Sequence, residues 1–224
     1  MDQQPILLTV DTCLFCYRDG ALYILLVRRD ASPFHGIWAL PGGWVDPDTD
    51  NTLQSCALRK LKAKTGRVPR YIEQLVSLGG PSRDPRQWSV SVSFLALTAP
   101  DNDAEGSKIQ GQWIPVTEAI SGALAFDHRD IILQAIDRLR QKVLYSMVVG
   151  YALAEAFTLP ELQALCEHLL GCSVQAKSFR RRVDASNVLE ETGQFRKTAK
   201  RPAKLYRLKP EAKTFTFVRN LLNG

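Results

Sequence analysis

Two stretches of this chain carry side chains whose types and spacing could do chemistry. The first is Leu40-Pro-Gly-Gly-Trp-Val-Asp, followed after a loop by Leu58-Arg-Lys-Leu-Lys-Ala-Lys-Thr-Gly66. It has the form of a glycine-rich loop and a basic helix, a cradle for a diphosphate. The second is Val174-Gln-Ala-Lys-Ser-Phe-Arg-Arg-Arg-Val-Asp184. At 100° per residue Ala176, Phe179 and Val183 share its inner face. Lys177, Ser178 and Arg181 lie opposite, with Gln175 at the start and Arg180 and Arg182 flanking. Such an outward row of donors can reach base edges and phosphates.

The elements that must position these residues follow from periodicity and punctuation. Residues 6–17 and 22–29 are rich in β-formers and flank Asp19-Gly20, a hairpin turn signal. Residues 30–44 are a loop punctuated by Pro33, Gly36, Pro41, Gly42 and Gly43. A helix is expected over 51–64, with Leu53, Ala57 and Leu61 buried and Gly66 as its stop. Strands are expected over 71–78, 89–98 and 113–116, with an acidic loop at 100–107. A short helix follows Thr117, and a longer one runs from a cap at Asp127 to about Tyr145. Cys13 and Cys16, three apart on a strand, point to opposite faces and are core residues rather than a metal pair.

Beyond residue 145 the pattern turns helical and then basic. Met147 to Phe157 is an apolar helix. Thr158-Leu-Pro-Glu161 is a capping box. Leu162, Leu165, Cys166 and Leu169 form the core face of the next helix, which Gly171 ends. Ser173 then caps the third helix. Helix, tight turn and helix make a helix-turn-helix. Residues 188–193 and 204–208 read as two strands, and the loop between them holds Arg196, Lys197, Lys200 and Arg201. A hairpin with a basic tip after a helix-turn-helix is a winged helix. The alternative is a helical dimerisation domain with a solvated basic face.

Charge divides the chain the same way. Residues 1–150 hold 16 Lys+Arg and 16 Asp+Glu; residues 151–224 hold 13 against 7, so the whole net charge of +6 lies in the last third. A neutral body with a basic appendage suits a polyanionic partner. No apolar run reaches the roughly 18–20 residues that span a membrane. The N-terminus has no basic region before its apolar run, and the five cysteines form no disulfide framework. A cytoplasmic protein is expected.

Gly43 and the 58–66 stretch resemble the signature of the Nudix hydrolases, in which a glycine is followed by a glutamate, then Arg-Glu, and a Glu-Glu pair on a helix. With the winged helix appended, the chain resembles the Nudix-related transcriptional regulators, bacterial repressors of NAD-metabolism genes. The departures from the signature all remove carboxylates. Thr49 stands at the first glutamate position, the loop to Arg59 is two residues longer, Lys60 replaces the next glutamate, and Ala63 and Lys64 replace the Glu-Glu pair. Mg²⁺ in such sites is held by carboxylate oxygens, and lysine and alanine offer none. No metal site, no cofactor and no catalytic residue is therefore expected. Asp46, Asp48 and Asp50 remain as possible ligands or as a solvated turn.

The resemblance implies an α+β fold. A Nudix-like mixed sheet with helices is expected over residues 1–145, with a linking helix at about 127–145, and a winged helix-turn-helix domain over 146–224. It implies ADP-ribose as effector. Arg29, Arg83 and Arg86 are candidates for its diphosphate, Phe34 and Trp88 for the adenine and Asp84 for a ribose. Lys60 and Lys64, i and i+4 on one helix face, are candidates to replace the metal, while Trp38 and Trp44 are expected in the core. DNA contacts are expected from Gln175, Lys177, Ser178, Arg180, Arg181, Arg182, Lys197, Lys200 and Arg201. The expected partner is a palindromic operator read by a homodimer, without membrane attachment. The rival readings are an active Nudix hydrolase (an ADP-ribose pyrophosphatase) with a nucleic-acid-binding tail, and an interaction module in which both domains are structural.

Overall fold

The computed structural model describes residues 5–100, 111–197, 201–218 and 221. The chain packs as two compact units. One comprises Met1–Phe15, Leu22–Ala96 and Asp103–Ala135; the other comprises Cys16–Ala21, Leu97–Asn102 and Ile136–Gly224.

The strands of the mixed sheet are β1 (Leu7–Arg18), β2 (Ala21–Arg28), β3 (Trp38–Ala39), β4 (Gly42–Trp44), β5 (Tyr71–Gly80), β6 (Ser89–Leu97) and β7 (Gly111–Pro115), with helices α1 (Leu53–Thr65), α2 (Val116–Ser121) and α3 (His128–Tyr145). Strands run in the order β3-β2-β1-β6-β5, with β4 on β1 and β7 on β2. Asp19 and Gly20 both have positive φ, 51° and 77°, as a two-residue hairpin turn that follows the strand twist needs. Counting out from that turn, an unbroken hairpin would set Asp11 opposite Arg28. Instead Asp11 pairs with Gly42 and Arg28 with Trp38. The 38–44 segment, expected as loop, thus wedges open the far end of the hairpin with two short strands.

Helix α1 starts two residues later than periodicity alone suggests, because Thr52 and Ser55 make a capping box. Gly66, at φ 67°, closes it with its N–H on the Lys62 carbonyl. Cys56 and Ala57 pack with Val10, Val92 and Phe94. At about 1.5–3 kcal/mol for each large side chain fully buried, this seam fixes α1 on the sheet. Cys13 and Cys16 are both buried thiols, as two opposed core positions require. The Asp127 side chain does not cap α3. Its carbonyl accepts from Asp130 and Ile131, and its carboxylate turns to Arg83. Most of the acidic stretch at 100–107 lies outside the described residues.

The second unit contains α4 (Leu159–Leu170), α5 (Ala176–Ser186), β8 (Leu189–Arg196) and β9 (Ala203–Leu208). Thr158 and Glu161 form the expected capping box on α4, and Gly171, at φ 69°, ends it. Leu162, Leu165, Cys166 and Leu169 are buried. The third helix begins at Ala176, not Val174, and Ser173 does not cap it. The Glu167 carboxylate accepts from Val174 N at 2.8 Å and from Gln163 Nε2 at 3.0 Å, which holds Val174 in the turn. Ala176 is consequently exposed at the first position of α5, while Phe179 and Val183 are buried as expected. The wing strands β8 and β9 are antiparallel, and Phe157 adds a bridge to Tyr206.

The helix expected over Met147–Phe157 is only a 3-10 turn, Val148–Ala152. A Cβ on Gly150 would lie 3.1 Å from Leu208 Cδ1 and 3.4 Å from Leu162 Cδ1. Close backbone packing there replaces the amphipathic face of a helix. Among the described residues no helix is long and apolar enough to cross a membrane.

Candidate ligand site and nucleic-acid interface

The opened hairpin leaves a cavity of about 90 Å³ at the parted strands. Asp11, Arg29, Gly42, Trp44, Lys64, Arg83, Asp84, Arg86, Phe126 and His128 all contribute to its wall. Its floor is a buried polar cluster built around Asp11. Ser91 Oγ donates to Asp11 Oδ2 at 2.6 Å, and Arg83 Nη2 donates to the same oxygen at 3.3 Å. Arg83 Nε also lies 2.9 Å from Asp127 Oδ2. His128 Nδ1 accepts from Leu40 N at 2.9 Å, which assigns the ring proton to Nε2, 3.5 Å from Asp11 Oδ1. Burial holds the His128 pKa below its ordinary value, against the pull of Asp11 and Asp127. The pocket floor is therefore a neutral imidazole beside a paired carboxylate. Gly42 is required here: a Cβ would sit 2.2 Å from both Asp11 Oδ1 and Val10 O.

The cations of the wall differ in what they already hold. Arg86 is spent on Asp84, donating from Nε at 2.9 Å and Nη2 at 2.6 Å. The Arg86 guanidinium keeps the Asp84 pKa down, and Asp84 raises that of Arg86. Asp84, expected to accept from a ribose, is thus buried and committed to Arg86. Arg83 is committed to Asp11 and Asp127. Arg29 is held by backbone alone, Nε to Pro33 O at 2.7 Å and Nη2 to Ala31 O at 3.4 Å, over the Phe126 ring at 4.7 Å. Lys64 lines the cavity with no ion pair or hydrogen bond among the described residues. Burial lowers its pKa, as it does that of Arg29. Lys60 does not line the cavity; its chain runs beside Gly43, 3.4–3.6 Å from where a Cβ would be.

Two of the three loop aspartates, Asp46 and Asp50, are already engaged. Asp50 takes both Arg59 Nε and Nη2, at 2.7 and 2.6 Å. Asp46 accepts from Asp48 N. The Arg59 hydrogen bonds hold the Asp50 carboxyl far below its usual range.

A second cavity, of about 560 Å³, shares Arg83 and Phe126 with the first. Phe34, Leu78, Pro85, Asp127 and Asp130 also line it, with Gly79, Gly80 and Ser82. Phe34 and Phe126 meet edge to face with centroids 4.8 Å apart. Both have left-handed backbones, φ 63° and 53°, which bulky residues seldom adopt and which cluster at ligand clamps. Trp88 lines neither cavity. Trp44, expected in the core, is 55% exposed on the wall of the first. Trp38 is half-buried under Arg28, 4.1 Å from the ring centroid. Asp11, Asp127, Phe126 and His128 were not anticipated as site residues. The one signal for Asp11 was a lone carboxylate inside an apolar strand, where charge is almost never left unpaired.

In the second unit Gln175, Lys177, Ser178, Arg180, Arg181 and Asp184 line one concave surface on α5. Arg180 and Arg201 also line a neighbouring hollow with Phe195, Lys204 and Tyr206. Arg182 departs from this set. Its Nη2 donates to Leu144 O at 2.8 Å and its guanidinium stacks 3.7 Å from the Phe217 centroid, so it is a packing residue. Arg196 ends β8 and pairs with Glu161 instead of sitting at the wing tip. Lys197 is exposed. Lys200 lies outside the described residues.

Comparison with known proteins follows this division. A Nudix domain model matches residues 7–135, and an NrtR DNA-binding winged helix model matches residues 149–208. The ADPR responsive transcriptional repressor NtrR of Acinetobacter baylyi is 42% identical over 219 residues, 96% of this chain and 87% of that protein. The crystal structure of Shewanella oneidensis NrtR complexed with a 27mer DNA superposes with a TM-score of 0.91 at 49% identity, covering 96% of this chain and 99% of that one. The Nudix domain of the same Shewanella protein, complexed with ADP ribose, covers 61% of this chain and 90% of its own at 45% identity and a TM-score of 0.56. Likeness at this level along nearly the whole length places the chain in a family: it belongs to the NrtR group of Nudix-related transcriptional regulators.

Proposed function

We propose that this chain is a DNA-binding transcriptional repressor of NAD-metabolism genes whose Nudix domain senses ADP-ribose, and that ADP-ribose lowers its affinity for the operator. The observation that carries this reading is the end-to-end match, at 49% identity, to a regulator crystallised on a 27mer DNA. The donor face of α5 supports the DNA half: Gln175, Lys177, Ser178, Arg180 and Arg181 share one concave surface. Paired cavities, one cationic and one aromatic, support the effector half. The smaller one has room for a diphosphate but not for a whole nucleotide sugar, since ligand pockets of that class run to roughly 300–1,000 Å³. The larger one, with Phe34, Phe126, Asp127 and Asp130, suits a nucleoside. The protein acts as a homodimer on a palindromic operator, as helix-turn-helix proteins generally do.

Hydrolysis is not part of this function. A Nudix metal needs carboxylate oxygens, and α1 carries Lys60, Ala63 and Lys64 at the signature positions. This donor set does not fit a divalent cation.

Fluorescence anisotropy tests the proposal, using duplex DNA from upstream of the protein's own and neighbouring genes, with and without ADP-ribose. Saturable binding that ADP-ribose weakens is expected. No duplex bound, or binding indifferent to ADP-ribose, would refute it. Turnover of ADP-ribose with Mg²⁺ above about 1 s⁻¹, the low end for working enzymes, would establish the hydrolase instead.

A further inference from the structure

We propose that the smaller cavity is a metal-free diphosphate seat in which the Lys64 ammonium and the Arg29 guanidinium supply the counter-charge that a divalent cation supplies in a hydrolytic Nudix site. The inference rests on the proposed ADP-ribose reading and deepens it.

It follows from matching each cation of the wall to its acid. Arg83 is paired with Asp11 and Asp127, and Arg86 with Asp84. Arg28 has no carboxylate but is exposed, donating to Gly36 O and lying over Trp38. Lys64 and Arg29 remain, both partly desolvated and neither closed by an ion pair. Asp11 and Asp30 act on Lys64 at a distance, but burial outweighs them, and Arg29 and Lys60 oppose its charge further. Arg29 likewise feels Arg86 against it. Uncompensated positive charge in a closed space is costly unless an anion enters. The diphosphate of a nucleoside diphosphate sugar carries two negative charges, one for each of these groups.

Geometry prepares Arg29 for this. Its Nε and Nη2 are held by the carbonyls of Pro33 and Ala31, and Phe126 backs the guanidinium plane. Those bonds leave Nη1 for a phosphate oxygen. Lys64 approaches from α1, at the position where a hydrolytic helix would carry a glutamate. A cation there repels a second cation, so the same substitution that removes a metal ligand installs the metal's charge. Lys60, beside Gly43 and outside the lining, is a bystander to the seat.

Isothermal titration calorimetry on the full chain tests this, with inorganic pyrophosphate and with ADP-ribose, each in EDTA and in Mg²⁺. Neither ligand is expected to need Mg²⁺: both should bind in EDTA at least as well as in Mg²⁺. Lys64→Gln and Arg29→Gln should each weaken both by at least about tenfold, the equivalent of one charge-assisted hydrogen bond. Lys64→Arg, which keeps the cation, should stay within about threefold of wild type. Lys62→Gln, on the exposed side of α1, should change nothing. Retained DNA binding by each variant verifies its fold. Binding that requires Mg²⁺, or that survives Lys64→Gln unchanged, overturns the seat. Pyrophosphate binding with these properties but no ADP-ribose binding would uphold the seat and refute the ADP-ribose reading.

Discussion

A single buried carboxylate organises the site at the scale of residues. Asp11 is held by Ser91, Arg83 and the Nε2 edge of His128. Composition and spacing disclosed the cations around it but not their commitments. That Arg86 is spent on Asp84, or that Arg83 faces Asp11 from 72 positions away, depends on how strands β1 and β6 meet, which no local pattern records. Lys64 lines the cavity because α1's period sets its side, while Lys60 runs beside Gly43, outside the lining. His128 yields a prediction with a definite sign. Its folded pKa is depressed by burial, so below the unfolded value of about 6.5 the unfolded chain binds the extra proton. Stability is therefore full above that pH and is lost as pH falls towards the folded pKa. Urea midpoints measured from pH 8 to pH 5 should decline for the wild type and decline less for His128→Gln. His168, also depressed by burial, contributes with the same sign to both proteins, so the difference between them isolates His128. Parallel curves would show that His128 does not carry the effect.

Punctuation set the helices at the scale of elements, and tertiary contact set what punctuation missed. Gly66, Gly171 and the Thr158–Glu161 box mark their termini where the sequence said. The 3-10 turn at Val148–Ala152 and the late start of α5 were not legible, since each is decided by a distant partner: Leu208 and Leu162 against Gly150, and Glu167 on Val174. Strands β3 and β4 are too short to announce themselves in a proline- and glycine-rich stretch, yet they part the hairpin and so create the cavity. Gly42 is where that construction is least forgiving. A Cβ there meets the Val10 carbonyl at 2.2 Å, backbone that cannot swing aside. Gly42→Ala should destabilise by about 1–3 kcal/mol, the range for forced repacking. Gly80→Ala, with nothing within 4 Å and no left-handed φ, should stay within about 0.5 kcal/mol. Equal losses in urea denaturation would mean that the close pairing of β4 with β1 is not what Gly42 is kept for.

Charge and function meet at the scale of the whole molecule. The net charge of +6 resides in the last 74 residues, but the structure divides that charge unevenly. Arg196, Lys204 and Arg207 are paired with Glu161, Glu191 and Glu190 on the wing, and Arg182 is packed inward. Lys177, Arg180 and Arg181 are left on the outer side of α5. If these touch phosphates, log K for DNA must fall with log salt by about 0.9 per contact. Arg181→Ala should then flatten that slope by about one contact as well as weaken binding. An unchanged slope would place Arg181 off the backbone. Coupling adds a stricter demand. If ADP-ribose raises the operator Kd by some factor, saturating operator must raise the ADP-ribose Kd by the same factor, because both are one free-energy difference. Lys64→Gln should weaken ADP-ribose while leaving the DNA salt slope untouched, and Arg181→Ala should do the converse. At saturating ligand each variant should return the wild-type coupling factor. Unequal factors in the two directions, measured at one salt concentration, would mean that the two ligands do not act through a single equilibrium of this chain.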